Sequence, residues 1–363
     1  MDIKLKNYRF NFPNLINNFN KVWDYFSYDI AFDLGTSNTM VWVKGKGIMI
    51  REPSMVARQK KTKEILAIGN DARKMMGRTP AGVEVIRPLR NGVIADFDAA
   101  QAMLSHYIKR VHETGSVVPK IPKPRVAIGI PSGVTEVESR AVAEAATAAG
   151  AREVYLIEEP MAGAIGSGLK IESAHGYFII DIGGGTSEMA VISLGGIVVG
   201  RSLRIAGDEM NEAISNYVKL KYSLLMGEIT SEDVKIALGN FLPGKEKYHV
   251  VRGRDLETGL PKSIKLSTSE VREALVPVVQ EITGNIVSTL EETPPELVSD
   301  IMEGGITMAG GGSLLPGIDK LISERTKMPV YIAEDPISCV VRGCAYLLEH
   351  PKLMSKIRLT KGF

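Results

Sequence analysis

The sequence predicts a mixed α/β protein of two similar halves around a ligand cleft, and three observations carry that prediction. An apolar run ends in Asp and Gly followed by Thr and Ser twice, in "YDIAFDLGTSNTMVWV" at 28–43 and in "FIIDIGGGTSEMAV" at 178–191. Each phrase reads as a strand, a tight turn and a second strand. After each phrase the chain continues with alternating strands and amphipathic helices, the pattern of α/β domains. Finally, 363 residues exceed one ordinary core but suit two domains of roughly 150–200 residues.

The elements follow in order. Residues 1–27 form an extension rich in Asn, Lys and aromatics. Pro13 suits the first turn of a helix, on which Leu15, Ile16, Phe19, Val22, Trp23 and Phe26 share one apolar face. That face fits a helix packed on the body or on another subunit. With Lys4, Lys6, Arg9 and Lys21 nearby it also fits a helix lying in a membrane interface, the reading adopted here. "DIAFDL" and "TMVWVK" then make a hairpin about "GTSN", followed by strands in "GIMIREPSMVAR" and "EILAIG". "NDARKMM" is a short helix ended by Gly77 and Pro80. "FDAAQAMLSHYIKRVHE" is an amphipathic helix, "RVAIGI" a strand, and "EVESRAVAEAATAAGA" a helix closed by Gly150. "EVYLIEEP" is a strand running into the small-residue helix "MAGAIGSGL". The second half repeats the theme with a hairpin at 177–200, a helix at about 208–225, a strand in "LPKSIKLS" and a long helix at 269–292. It closes on "GITMAGGGSLLPGI", a strand entering three glycines after which Ser313 begins a helix.

Composition narrows the function classes. A net charge of +2, with no basic stripe, gives no reason to expect a nucleic-acid partner. The five histidines are scattered, and no His/Cys spacing suits zinc. Cys339 and Cys344 read as core residues of a terminal helix, in keeping with a reducing cytoplasm. No apolar stretch approaches the ~18 residues of a membrane span, and no signal-peptide pattern opens the chain, so a cytoplasmic protein is expected.

The chemistry lies in the turns. In "DLGTSNT", Gly35 makes the bend, and the N–H groups and side chains of Thr36, Ser37 and Asn38 offer donors to anionic oxygens, although such residues also make ordinary turns. Gly183, Gly184 and Gly185 are a stronger signal, because three glycines cost more backbone entropy than a plain turn needs. Two such loops face to face could hold the β- and γ-phosphates of a nucleotide. Asp33 and Asp181 would then point to one place, where Mg²⁺ held through its waters reconciles carboxylates with phosphate. Gly310, Gly311 and Gly312 suit the flat face of a nucleoside. Glu159, at a strand end before Pro160, could orient a water for attack on the γ-phosphate; it could equally be a helix-start acid favoured by the dipole.

Taken together, "FDLGTSNT", "LIEEPMAGAIG", "DIGGGTSEMAVISLGG", "IAGDEMNEAI" and "MAGGGSLLPGI" resemble the phosphate, connecting and adenosine motifs of the actin/Hsp70/sugar-kinase ATPase superfamily. Within it the wording is similar to the MreB family of bacterial actin homologues. "IRPLRNGVIADFD", "PSGVTEVESRA" and "TPPELVSDI" extend the likeness from about Tyr28 to Glu349.

This resemblance implies an actin-like ATPase fold, with domain I at 28–172 (a subdomain inserted at about 55–100) and domain II at 173–337 (one inserted at about 207–268). Residues 338–363 would return to domain I. It implies ATP and Mg²⁺ as cofactors and slow hydrolysis coupled to filament dynamics. The expected filaments are homopolymers on the inner face of the cytoplasmic membrane, organising the cell-wall elongation machinery and rod shape. Glu159 takes the catalytic position and Thr186 that of a water-positioning threonine. Thr36, Ser37, Asn38 and Gly183 to Gly185 meet phosphate, Glu232 and Lys235 the ribose, and Gly310 to Ser313 the adenosine. A loop around Val117, Val118 and Ile121 is a second candidate membrane contact. Three features depart from the family pattern: Ser37 in place of a common Ala, the long amino-terminal extension, and Ala237 in place of a carboxylate, which bears on ATP-over-GTP preference. The rival readings are an actin-like filament for plasmid or organelle positioning and, more distantly, a sugar- or acetate-kinase-like phosphotransferase.

Overall fold

A computed structural model describes residues 27–114, 121–357 and 360–361. Leu15, Ile16, Phe19, Trp23, Phe26, Val117 and Val118 lie outside the described residues, whereas Ile121 is exposed.

Two large sheets share one topology. The first runs Thr360–Lys361, Glu153–Glu158, Arg125–Ile130, Ile30–Leu34, Asn38–Val43, Gly47–Pro53. The second runs Val330–Ile332, Ile306–Ala309, Tyr177–Ile182, Ser187–Ser193, Gly196–Leu203. In both, an antiparallel meander of three consecutive strands is continued by two later strands in parallel. The duplication seen in two short phrases therefore extends through whole sheets. In each half a small three-stranded sheet branches off, Val56–Gln59 with Ile65–Ile68 and Val83–Ile86, and Leu224–Leu225 with Tyr248–Asp255 and Pro261–Ser267.

Local chemistry sets the helices. Asp96 caps Phe97–Glu113, its carboxylate accepting from the Ala99 N–H at 3.0 Å, and Met103, Leu104, Tyr107, Ile108 and Val111 bury one face. Reciprocal Thr135/Glu138 and Ser267/Glu270 caps start Glu136–Ala148 and Thr268–Glu291. The helix expected at 208–225 spans Gly207–Tyr222, because Ser223 turns left-handed and starts a short strand. The expectation that Ser313 begins a helix is corrected: Gly311–Leu314 is a single 3₁₀ turn, and the helix starts at Ile318, after Pro316 and the left-handed Gly317.

Two crossings join the sheets among the described residues. Glu159–Gly166 leads out of the first sheet into the second, and Cys339–Glu349 leads back. They pack on each other in a core that both sheets complete, with Ala31 and Ala127 on one side and Ile179 and Ala190 on the other. Cys339 and Cys344 are buried there as free thiols. Because both crossings touch the strand ends, whatever changes the angle between the sheets is felt where Asp33, Glu159 and Asp181 sit.

Candidate functional site

The matching strand ends face each other across a cavity of about 370 Å³. Its lining brings together Asp33, Thr36, Ser37, Asn38, Glu159, Asp181, Gly183, Gly184, Gly185, Thr186, Glu232, Lys235, Gly310, Gly311 and Gly312. Met210, Ile236, Leu315, Pro316 and Ile337 add apolar surface. Residues chosen from five separate stretches of sequence thus converge on one space. Ser313 does not line it: the side chain is fully buried and its hydroxyl donates to the Gly310 carbonyl at 2.7 Å, so only its backbone neighbours face the cleft. Ala237 is exposed and also absent from the lining.

The glycines of the second loop have a sharper reason than ligand approach alone. A Cβ at Gly184 would sit 2.2 Å from Ser37 Oγ, and one at Gly185 would sit 2.5 Å from Thr36 Oγ1. The two loops touch, so side chains on the first require none on the second. The first loop is held from its own half: Gly92 N–H donates to Thr36 Oγ1 at 3.0 Å, and the Ser54 hydroxyl donates to the Gly35 carbonyl at 2.6 Å. The second is held by a helix start, Asp208 N–H donating to the Gly184 carbonyl at 2.7 Å. Gly310, at φ +79°, packs against Ile182 and the Asp181 carboxylate, while the space beside Gly311 is open.

Three carboxylates, Asp33, Glu159 and Asp181, line the floor, and a fourth, Glu188, acts on them from beneath it. Burial pushes Asp33 up to about 7. Burial, then Asp33 and Glu188, push Asp181 up to about 8. Glu159 is raised well above the ordinary value by burial and then by Glu188, Asp33 and Asp181. Glu188 is raised by burial against the opposing pull of its hydrogen bonds. Lys235 is the cation of the lining, its ammonium donating to the Gly207 carbonyl at 2.8 Å, and Glu232 is paired with Arg73 from the other half at 3.0 Å. The floor therefore carries an excess of negative charge that protons or a cation must offset.

Glu188 escaped the sequence reading. It accepts from Ser132 N–H at 3.1 Å, from the Ser132 hydroxyl at 2.5 Å and from the Ser202 hydroxyl at 2.5 Å, tying the two halves beneath the cleft. The available signal was register: Glu188 pairs directly with Asp181 and so shares its face.

Comparison with known proteins agrees with this geometry. The family model described as MreB/Mbl protein matches residues 27–356. The chain is 49% identical over 329 residues to the cell shape-determining protein MreB of Escherichia coli (strain K12), covering 89% of this chain and 94% of that one. It is 44% identical over 336 residues to the cell shape-determining protein Mbl of Bacillus subtilis (strain 168), covering 92% and 100%. The crystal structure of MreB5 of Spiroplasma citri bound to ADP superposes with a TM-score of 0.85 at 38% identity, covering 91% of this chain and 98% of that one. A MamK double helical filament, at 23% identity and a TM-score of 0.75 over 89% and 99% of the two chains, shares the fold.

Proposed function

The chain belongs to the MreB/Mbl family of actin-like, cell shape-determining proteins, and from that premise we propose that it binds ATP with Mg²⁺ between its two loops, hydrolyses it slowly and assembles into filaments on the inner face of the cytoplasmic membrane. In this reading the filaments organise cell-wall synthesis and maintain rod shape. The division into domains 28–172 and 173–337, with 338–363 returning to the first, is part of the same proposal.

One observation carries the reading: Ser37 and Thr36 of one half touch Gly184 and Gly185 of the other at a cavity that Glu159 also lines. Side-chain donors approach a phosphate from one side and bare backbone from the other. A ligand held by both loops fixes the angle between the halves, and a subunit at one angle presents matched ends for head-to-tail addition. Loss of the γ-phosphate would loosen that angle. Glu159 is buried at the start of its helix and lines the cavity with Thr186, placed to take a proton from a water that Thr186 helps to position.

The floor fits a hydrated divalent cation, since the buried Asp181 and the half-buried Asp33 line it as oxygen donors with no cation paired to either among the described residues. Among the described residues no group of three or more His, Cys, Asp or Glu side chains could hold a metal ion directly. When bound, the cation would neutralise phosphate charge. The membrane role rests on residues 1–27 and on Ile121, which is 45% exposed; no helix among the described residues is long and apolar enough to cross a bilayer.

Sedimentation tests the reading. Mg²⁺ and ATP should give concentration-dependent pelleting and ordered filaments by electron microscopy. Pelleting with anionic liposomes should disappear in Phe19→Ser/Trp23→Ser while ATP binding stays intact. A chain that remains monomeric at about 10–100 µM, a range above typical assembly affinities, with ATP, Mg²⁺ and lipid together, contradicts it.

A further inference from the structure

At the rim of the cleft, an arginine of the first half reaches into the second. Arg87 follows the strand Val83–Ile86, and its side chain is only 11% exposed. Nη1 donates to the two carboxylate oxygens of Asp208 at 2.9 and 3.0 Å, and Nη2 lies 2.5 Å from Glu228. These acids stand in the first turns of different helices, Gly207–Tyr222 and Glu228–Leu238. The Arg87 Nε is buried without a hydrogen-bond partner, so the guanidinium reaches out of its own half at a desolvation cost that the two carboxylates offset.

Asp208 makes this pair more than a surface bridge. Its N–H donates to the Gly184 carbonyl at 2.7 Å, and its Oδ1 accepts from the Ser37 hydroxyl at 3.5 Å. It therefore touches both loops that would hold phosphate. The cavity lining already sets Asp33, Glu159, Asp181 and Glu232 against Lys235. An unmasked carboxylate at Asp208 would repel the anion that the loops are shaped to receive.

We propose that Arg87 is a positioning residue for the nucleotide: by masking Asp208 from the opposite half, it makes closure of the cleft and acceptance of a phosphate chain a single event. The inference rests on the nucleotide reading above, but adds to it a residue outside the cavity lining. A merely structural ion pair would be broken as fully by neutralising Asp208 as by neutralising Arg87, whereas a mask is not missed once Asp208 is neutral, and that difference is measurable.

The test is equilibrium binding of Mg²⁺ and a fluorescent ATP analogue to the full chain. Arg87→Gln should weaken binding about tenfold, which is about 1.4 kcal/mol. Asp208→Asn alone should change it by less than about threefold, and Arg87→Gln/Asp208→Asn should recover to within about threefold of Asp208→Asn, a strongly non-additive cycle. If Arg87→Gln folds poorly, Asp208→Asn alone still decides, because it would break a structural pair as fully but leaves no carboxylate to mask. The proposal is overturned if Arg87→Gln binds like wild type, if the double variant stays as weak as Arg87→Gln, or if Asp208→Asn binds as weakly as Arg87→Gln. A wild-type chain that binds no nucleotide overturns the site assignment itself, a different result from wild-type binding with an indifferent Arg87.

Discussion

The two Asp–Gly–Thr turns are near-copies in sequence and opposites in construction. The first carries its donors on side chains and is braced from neighbouring loops by Gly92 and Ser54. The second has no side chains at Gly183, Gly184 and Gly185 and is braced by the start of the helix Gly207–Tyr222. Their aspartates differ too. Asp33 pairs across its hairpin with Met40, whereas Asp181 pairs with Glu188. The two sheets share one topology, and their facing turns differ so that one fits into the other. A symmetric pair of side-chain-bearing loops would collide.

The largest expected effect follows from that collision. Gly184→Val puts atoms where Ser37 stands, 2.2 Å from its Oγ and 3.0 Å from its N. The loops must separate, and losing one or two hydrogen bonds to a charged phosphate, at about 1.5–3 kcal/mol each, costs on the order of 100-fold. ATP affinity should fall by about that factor in a titration, with about 1–3 kcal/mol lost in denaturant unfolding from overpacking. Near-normal affinity would mean that the loops do not close on one ligand.

The aspartates give the next effect. In nucleotide-free protein, burial holds Asp33 at about 7, and burial with the neighbouring carboxylates holds Asp181 at about 8, against an ordinary value of 3.8. Raised folded values mean that the folded state binds more protons than the unfolded chain, so stability from these groups is present at low pH and is lost as pH rises towards 7 and 8. The melting temperature should therefore fall from about pH 5 to about pH 8 and level off above that. Asp181→Asn should flatten that slope more than Asp33→Asn, because Asp33 and Glu188 act on Asp181 in addition to burial. Equal slopes in the two variants would remove the asymmetry between the turns.

Much of this was legible in the sequence, for identifiable reasons. Phe97–Glu113 announces itself through Asp96 as a cap and a helical apolar period. The turns are legible because glycines beside Asp and Thr at strand ends have few structural uses. Ser313 was misjudged since a Ser after glycines looks like a cap, while Gly317, four residues on, decides where the helix starts. Glu188 and Arg87 were not legible at all. Glu188 reads as an ordinary strand residue until its register with Asp181 is known, and the partner of Arg87 lies 121 positions away. Local chemistry shows in sequence; contacts between halves show only in the fold.

The smallest expected effect belongs to Ser37→Ala. The hydroxyl is one donor among several, and its bond to Asp208 is long at 3.5 Å. A net hydrogen bond contributes about 0.5–1.5 kcal/mol, so affinity should weaken by about 2–10-fold, far less than for Gly184→Val. A larger loss would make the first turn, not the second, the dominant grip.

The central claim is that the cleft hydrolyses ATP to time a filament, and phosphate release recorded beside pelleting in the same sample of Glu159→Ala tests it most directly. The account predicts ATP-dependent pelleting like wild type, with phosphate released at least about tenfold more slowly, the low end of a general-base contribution, and filaments that persist longer after ATP is withdrawn. Phosphate release at the wild-type rate, or pelleting indifferent to nucleotide in both proteins, would contradict it.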